Sequence, residues 1–178
     1  MITDEQHLQI EKLPVNRPDK ENLVNALNQK PGSVQKAASV HPSMPGLQKD
    51  TTILVVEDNV SNFVLIARML GYLGIHCEWK TSGYEVVEYA DTLPHLDMIL
   101  MDIRLPYEDG YGALRKIRSS IRLSKIPVIA VTAEASLEQM NKARQSGFDG
   151  FIGKPLDPDR FPEQIQRILS GEQLWEMS

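Results

Sequence analysis

The stretch Ile53-Leu54-Val55-Val56, followed at once by Glu57-Asp58-Asn59, decides the fold class of this chain. An apolar run this short is too brief for a buried helix, and its β-branched residues are typical of an interior strand of a parallel sheet. After Asn59, apolar residues recur at helical spacing as far as Gly74, a residue type that often ends helices. The members of that apolar face are Phe63, Ile66, Ala67, Leu70 and Leu73. The pattern therefore predicts a buried strand, an acidic junction and then a helix.

The same alternation continues along the chain. Further strands are predicted at 75–80, 98–101, 128–131 and 150–152, and helices at 83–90, 112–118, 137–145 and 158–169. Buried strands joined by helical crossovers form a parallel sheet with helices on both of its faces. We therefore predict an α/β domain of five strands and five helices over residues 51–170.

The two ends of the chain differ from this pattern. Residues 1–50 contain no Phe, Tyr or Trp and are interrupted by prolines. Such a segment buries too little apolar surface to offset the entropy of ordering it, so we expect an unstructured arm. Residues 171–178 form a short tail, in which Leu174 and Trp175 either dock on the domain or fray. We expect no output domain in this chain.

Composition excludes several classes of protein. The chain has 178 residues and a net charge of −5, which gives no general attraction to nucleic acid. Its one cysteine, Cys77, excludes an internal disulfide framework and is predicted to serve packing rather than chemistry. No apolar run is long enough to cross a bilayer, and the N-terminus lacks a secretory signal. We expect a cytoplasmic protein that binds neither membrane nor DNA directly.

Charged and polar residues follow the predicted strands. Glu57 and Asp58 follow the first strand, Asp102 the third, Thr132 the fourth, and Lys154 lies just after the fifth. Ligands of open parallel sheets bind beyond the carboxyl ends of the strands. Carboxylates gathered there repel one another unless a cation joins them, and oxygen ligands suit Mg²⁺. With a hydroxyl and an ammonium as donors, this edge is suited to an incoming phosphoryl group.

Four motifs in this order resemble the receiver domains of bacterial two-component response regulators. They are Glu57-Asp58-Asn59, Met101-Asp102-Ile103-Arg104-Leu105-Pro106 with Asp109-Gly110, Val131-Thr132-Ala133, and Lys154-Pro155. The resemblance covers about residues 52–170 and implies a flavodoxin-like, doubly wound sheet of strand order 2-1-3-4-5. It also implies a cis peptide bond before Pro155.

The resemblance implies a role for each site residue. Asp102 would be the phosphoacceptor, and Glu57, Asp58, Asp102 and the backbone carbonyl of Arg104 would hold Mg²⁺. Thr132 and Lys154 would bind the phosphoryl oxygens.

Three further positions concern switching and lifetime. Phe151 stands where receivers often carry a switch tyrosine, so a switch here would lack the hydroxyl. Arg104 and Glu134 occupy positions that tune the lifetime of the phosphoryl group in receivers. Their opposite charges suggest a pair across the mouth of the site that hinders an attacking water, and hence a long-lived phosphoaspartate.

The function implied is a stand-alone receiver that takes a phosphoryl group from a histidine kinase or phosphotransfer protein and signals by protein contact. It would phosphorylate and dephosphorylate itself with Mg²⁺, and a phosphorylation-dependent homodimer stays open. An aspartate-nucleophile phosphohydrolase is the main alternative, although haloacid-dehalogenase-type phosphatases carry a second Asp where this chain has Arg104. A flavin or nucleotide binder would need a glycine- or hydroxyl-rich phosphate loop in place of Glu57-Asp58-Asn59.

A second cluster of charges is ambiguous. Arg115, Arg118, Arg122 and Lys125 lie near helical spacing. They form either a solvated helix face, which the acidic charge of the domain favours, or a basic stripe for an acidic partner.

Overall fold

The computed structural model describes residues 50–177, and the arm expected over residues 1–50 lies almost wholly outside this range. Strands β1 (Thr52–Val56), β2 (His76–Lys80), β3 (Met98–Met101), β4 (Val128–Thr132) and β5 (Gly150–Gly153) alternate with five helices. The helices are α1 (Val60–Tyr72), α2 (Val86–Thr92), α3 (Gly110–Ser119), α4 (Leu137–Ser146) and α5 (Phe161–Leu169). A two-residue strand, β6 (Trp175–Glu176), follows α5. The predicted alternation is confirmed, with one strand more than expected.

All strands of the sheet are parallel, in the order β2-β1-β3-β4-β5-β6. The predicted order 2-1-3-4-5 is therefore confirmed, and β6 extends it at the β5 edge. From β1 the chain adds β2 on one side of the sheet, and from β3 it adds the later strands on the other, so the strand order reverses between β1 and β3. Crevices that bind ligands in such sheets lie at this reversal, beyond the carboxyl ends of the strands.

Two apolar clusters cover the two faces of the sheet. Leu54 and Val56 pack toward α2, α3 and α4, whereas Ile53 and Val55 pack toward α1 and α5. This separation follows from the period-2 alternation of side chains along each strand. Both faces are buried, which explains why β1 and β3 are continuous apolar runs rather than alternating ones.

Polar side chains and glycine mark the helix ends. The Asn59 side chain accepts hydrogen bonds from the Ser61 and Asn62 amides, and Asp109 and Ser136 cap α3 and α4 in the same way. Gly147 ends α4 at a φ of 98°, a left-handed conformation that glycine adopts without a steric penalty. The helix predicted at 158–169 begins only at Phe161, because residues 158–160 form a turn.

Two of the four residues predicted to form a solvated face, Arg118 of α3 and Arg122, bond backbone carbonyls instead. Arg118 donates to the carbonyls of Ser124, Ile126 and Gly147 and pairs with Asp149. Arg122 donates to the carbonyls of Ala90, Asp91 and Leu93 at the end of α2. The interpretation as a solvated face is wrong for these two arginines, because their guanidinium groups satisfy backbone carbonyls at loop and helix ends.

Candidate functional site

Three carboxylates converge at the carboxyl edge of the sheet. Carboxylate oxygens of Glu57, Asp58 and Asp102 lie within 4.8 Å of one another. Glu57 follows β1 and is 2% exposed, and Asp102 follows β3 and is 7% exposed, whereas Asp58 faces solvent. The neighbouring strands β1 and β3 bring them together, as the strand-end pattern predicts.

Lys154 neutralises part of this charge. Its Nζ lies 2.6 Å from Glu57 Oε2 and 2.6 Å from Asp102 Oδ2. Burial alone would lower the pKa of the Lys154 ammonium, but the hydrogen bonds to Asp102 and Glu57 outweigh it, and the pKa is raised. Lys154 follows β5 directly, and the peptide bond to Pro155 is cis, as the resemblance implied.

The second carboxylate oxygen of Asp102 is also held in place. The Arg104 amide donates to Asp102 Oδ1 at 2.9 Å. Burial raises the pKa of Asp102 despite the hydrogen bonds from Lys154 and Arg104. An aspartate held by two donors keeps one orientation, which is what a nucleophile in phosphoryl transfer needs.

Thr132 closes β4 on the same edge and is buried. Its Oγ1 accepts a hydrogen bond from the Glu134 amide at 3.3 Å. Because Met101 of β3 is paired with Ala130 of β4, Thr132 ends the strand next to the one that leads into Asp102.

Arg104 and Glu134 form a salt bridge and so lie together at this edge. A second donor, the Gln139 amide group, reaches Glu134 Oε1 at 3.1 Å from the first turn of α4. The hydrogen bond from Arg104 lowers the pKa of Glu134, so the pair remains charged at neutral pH. The pairing anticipated from opposite charges is present in the structure.

Phe151 is fully buried in β5, and its position pairs with Trp175 of β6. The side chain therefore points inward, within the apolar cluster that also contacts Trp175.

Cys77 is half-buried, and burial raises the pKa of its thiol to about 11. This agrees with the prediction that Cys77 serves packing, because a protonated thiol is a poor nucleophile.

Three contacts to Glu57 were not predicted. The Asn62 side chain donates to Glu57 Oε1 at 2.9 Å, and the Asn59 amide donates to the same oxygen at 3.2 Å. The Trp79 indole donates to the Glu57 carbonyl at 2.8 Å and stacks on Phe63 at 4.2 Å. The Asn62 contact could have been predicted from the sequence, because the helical spacing after Asn59 places Asn62 in the first turn of α1. The Trp79 contact depends on the register between β1 and β2, which the sequence does not contain.

The donor set suits a divalent cation. Three carboxylates and one ammonium leave an excess of negative charge, and carboxylate oxygens with an open solvent side are the ligands that Mg²⁺ prefers. Glu57 and Asp102 each accept a hydrogen bond from Lys154, so the ammonium already offsets part of the repulsion between them.

In the described part of the chain, no helix is both long and apolar enough to span a membrane.

Comparison with known proteins agrees with this geometry. The chain is 36% identical over 120 residues to the signal transduction histidine-protein kinase BarA of Escherichia coli, a match that spans 67% of this chain but only 13% of BarA. It is 36% identical over 118 residues to the polar-differentiation response regulator DivK of Brucella ovis, covering 66% of this chain and 95% of DivK.

Solved structures show the same fold. The receiver domain of the sensor histidine kinase PA1611 from Pseudomonas aeruginosa, which has magnesium coordinated in its active site cleft, aligns with a TM-score of 0.61 and 34% identity. That alignment covers 69% of this chain and 99% of PA1611's domain. The chemotaxis response regulator CheY4 of Vibrio cholerae, at 24% identity and a TM-score of 0.62, shares the fold.

The model of the response regulator receiver domain matches residues 53–166, which include every charged residue of the edge described above. The match extends over more than half of the chain, and the relatives agree with it. This chain belongs to the response regulator receiver domain family.

Proposed function

We propose that this protein accepts a phosphoryl group on Asp102 from a histidine kinase or phosphotransfer protein in a two-component phosphorelay. The observation that carries the proposal is the buried Asp102 carboxylate, held at Oδ1 by the Arg104 amide and at Oδ2 by Lys154. In the transfer, an Asp102 oxygen forms a bond to phosphorus while the bond between phosphorus and the donor's nitrogen or oxygen breaks. The product is an acyl phosphate.

Glu57, Asp58, Asp102 and the carbonyl of Arg104 would hold Mg²⁺ in this proposal. The ion would neutralise charge on the phosphoryl oxygens when bound. Lys154 would move one hydrogen bond from Asp102 to a phosphoryl oxygen, and the Thr132 hydroxyl would donate to another. Thr132 is buried and Lys154 is partly buried at this edge, so both donors are preorganised before the phosphoryl group arrives.

The signal would leave through protein contacts in the cytoplasm, without direct DNA or membrane binding. Phosphorylation adds charge at Asp102, Thr132 would move toward it, and buried Phe151 would change rotamer. The receiver domain would span residues 51–170, with the kinase or phosphotransfer protein as donor and an effector, or a second copy of the chain, as recipient. Arg104, in place of a second aspartate, supports this role over that of a phosphohydrolase.

The test is the intact mass of the full chain after incubation with acetyl phosphate and Mg²⁺. We expect the mass of one added phosphoryl group in the native chain and in Asp91→Asn, a control that alters an exposed aspartate of α2. Asp102→Asn should gain none. Labelling of Asp102→Asn to the native extent, or no labelling of the native chain, would contradict the proposal.

A further inference from the structure

The three carboxylates of the site are not held in the same way. The Glu57 carboxylate accepts hydrogen bonds from Asn62 and Lys154. The Asp102 carboxylate also accepts one from Lys154. Among the described residues, no hydrogen bond reaches the carboxylate of Asp58, which is exposed. The direction of the Asp58 side chain therefore depends on the backbone at residues 57–58.

A side chain holds the backbone carbonyl of Glu57, in the peptide group that leads into Asp58. The Glu57 amide donates to the Lys80 carbonyl at 2.9 Å, as in a parallel ladder between β1 and β2. Strand β2 ends at Lys80, and the Glu57 carbonyl accepts from the Trp79 indole Nε1 at 2.8 Å instead of from a strand amide. Because a peptide group is planar, a fixed Glu57 carbonyl also fixes the amide of Asp58.

The Trp79 ring is itself held against helix α1. It stacks on Phe63 with the ring centres 4.2 Å apart and an angle of 3° between the ring planes. Phe63 directly follows Asn62, whose side chain donates to Glu57 Oε1. Two consecutive residues of α1 therefore hold Glu57 at both ends, Asn62 at the carboxylate and Phe63, through Trp79, at the carbonyl.

Packing alone does not require an indole at residue 79. Trp79 and Phe63 are both only partly buried, and a phenylalanine could make the same stack on Phe63. The N–H group is what the indole adds, and it is spent on the Glu57 carbonyl. This donor therefore bears on the site rather than on the core.

We propose that Trp79 is a positioning residue for Asp58, the exposed ligand of the metal site. Its indole holds the Glu57–Asp58 peptide group in one orientation before the cation arrives, so less ordering is needed when Mg²⁺ binds. Loss of a partner that orients a metal ligand typically weakens metal binding by a factor of about ten or more. The inference deepens the proposed function and rests on it, because Asp58 is a ligand only if Mg²⁺ binds at this edge.

The first test measures the Kd of Mg²⁺ alone by isothermal titration calorimetry. Trp79→Phe keeps the stack on Phe63 and removes the donor, so we expect its Kd to be about tenfold higher than that of the native chain. Trp175→Phe makes the same substitution in β6, at the opposite edge of the sheet, and should leave the Kd unchanged. An equal Kd in Trp79→Phe and the native chain would overturn the proposal.

Cys77→Ala separates positioning from a loss of stability. Cys77 lies two residues before Trp79 on the same face of β2, and it is half-buried against the apolar cluster of α1 and α5. The substitution removes packing without removing the donor to Glu57. Chemical denaturation without Mg²⁺ should show a lower free energy of unfolding, and calorimetry an unchanged Kd. A Kd that rises with lost stability in both variants would overturn the positioning role.

The second test uses the native chain and does not depend on the folding of Trp79→Phe. The chain has two tryptophans, so its heteronuclear NMR spectrum has two indole resonances, which Trp175→Phe assigns. Mg²⁺ should shift the Trp79 resonance, because the ion changes the charge beside the Glu57 carbonyl, and should leave that of Trp175 in place. Asp58→Asn should show a smaller shift at the same Mg²⁺ concentration. An unshifted Trp79 resonance in a native chain saturated with Mg²⁺ would overturn the proposal.

Both tests use Mg²⁺ without acetyl phosphate. Equal affinities of the native chain and Trp79→Phe, with Asp102 still labelled in the mass experiment, would contradict the positioning role alone. A native chain that binds no Mg²⁺ would overturn the inference together with the metal site on which it rests. Mg²⁺ binding without any phosphoryl mass on Asp102 would contradict the proposed function alone.

Discussion

The Lys154 ammonium offsets part of the electrostatic cost of burying two carboxylates side by side. Removing a carboxylate from water is costly, and Glu57 and Asp102 are both buried within reach of the same ammonium. The ammonium therefore offsets part of the repulsion between the two carboxylates before any ligand arrives. It still carries an excess of negative charge, which is the condition for binding a cation rather than an anion.

At the same scale, the Arg104–Glu134 salt bridge bears on how long a phosphoryl group would survive. We expect Arg104→Ala to hydrolyse its phosphoaspartate roughly two- to fivefold faster than the native chain, because losing an exposed ion pair has only a modest effect. The measurement is the decay of the phosphorylated mass after acetyl phosphate is removed.

Lys116→Ala is the matched control for this prediction. It breaks a salt bridge to Glu108 of 2.9 Å that involves neither Asp102 nor Glu134, and it should leave the decay unchanged. An unchanged decay in Arg104→Ala would show that the pair does not shield the acyl phosphate.

At the scale of elements, Arg118 joins α3 to the starts of β4 and β5. Its guanidinium bonds three carbonyls and Asp149, whose Oδ2 also accepts from the Val128 amide at 2.8 Å. The side chain thus satisfies carbonyls of the α3–β4 connection and the last turn of α4. A loop of this kind packs on the sheet only if its backbone groups have partners.

We expect Arg118→Ala to lower the free energy of unfolding by about 2 kcal/mol, because it leaves carbonyls and a carboxylate without their donor. Chemical denaturation monitored by circular dichroism measures this. Arg115→Ala, which alters an exposed arginine on the same helix, should stay within about 0.5 kcal/mol of the native value. Equal losses in the two variants would contradict the structural role assigned to Arg118.

At the scale of the whole molecule, the three carboxylates Glu57, Asp58 and Asp102 link metal binding to the stability of the fold. A ligand that binds only the folded chain stabilises it, by about 1.4 kcal/mol at roughly ten times its Kd. We expect Mg²⁺ to raise the Tm of the native chain and to raise that of Asp58→Asn much less, because one of three carboxylates is then lost.

Asp58 suits this experiment because its side chain is exposed, so the substitution leaves the apolar clusters intact. Sodium chloride at matched ionic strength separates screening from specific binding. An equal rise in Tm for the native chain and Asp58→Asn would place the bound ion elsewhere.

Local sequence patterns determined most of the fold. Continuous apolar runs such as Ile53–Val56 identify strands that are buried on both faces, and the helical recurrence after Asn59 identifies the crossovers. Strand ends then place Glu57, Asp102 and Lys154 at one edge, because every parallel strand ends on the same side of the sheet. Element boundaries were less well determined, as the late start of α5 shows.

Only the tertiary structure decided which distant groups meet. The stretch Leu174–Glu176 is too short for its pattern of apolar and polar residues to distinguish a docked strand from a frayed tail. It pairs with β5, where Gly150 leaves room for its backbone. Arg118 and Arg122 have the spacing of a solvated face, yet they bond carbonyls of other segments. Such contacts depend on register and long-range packing, whereas a strand and its terminal carboxylate are properties of neighbouring residues.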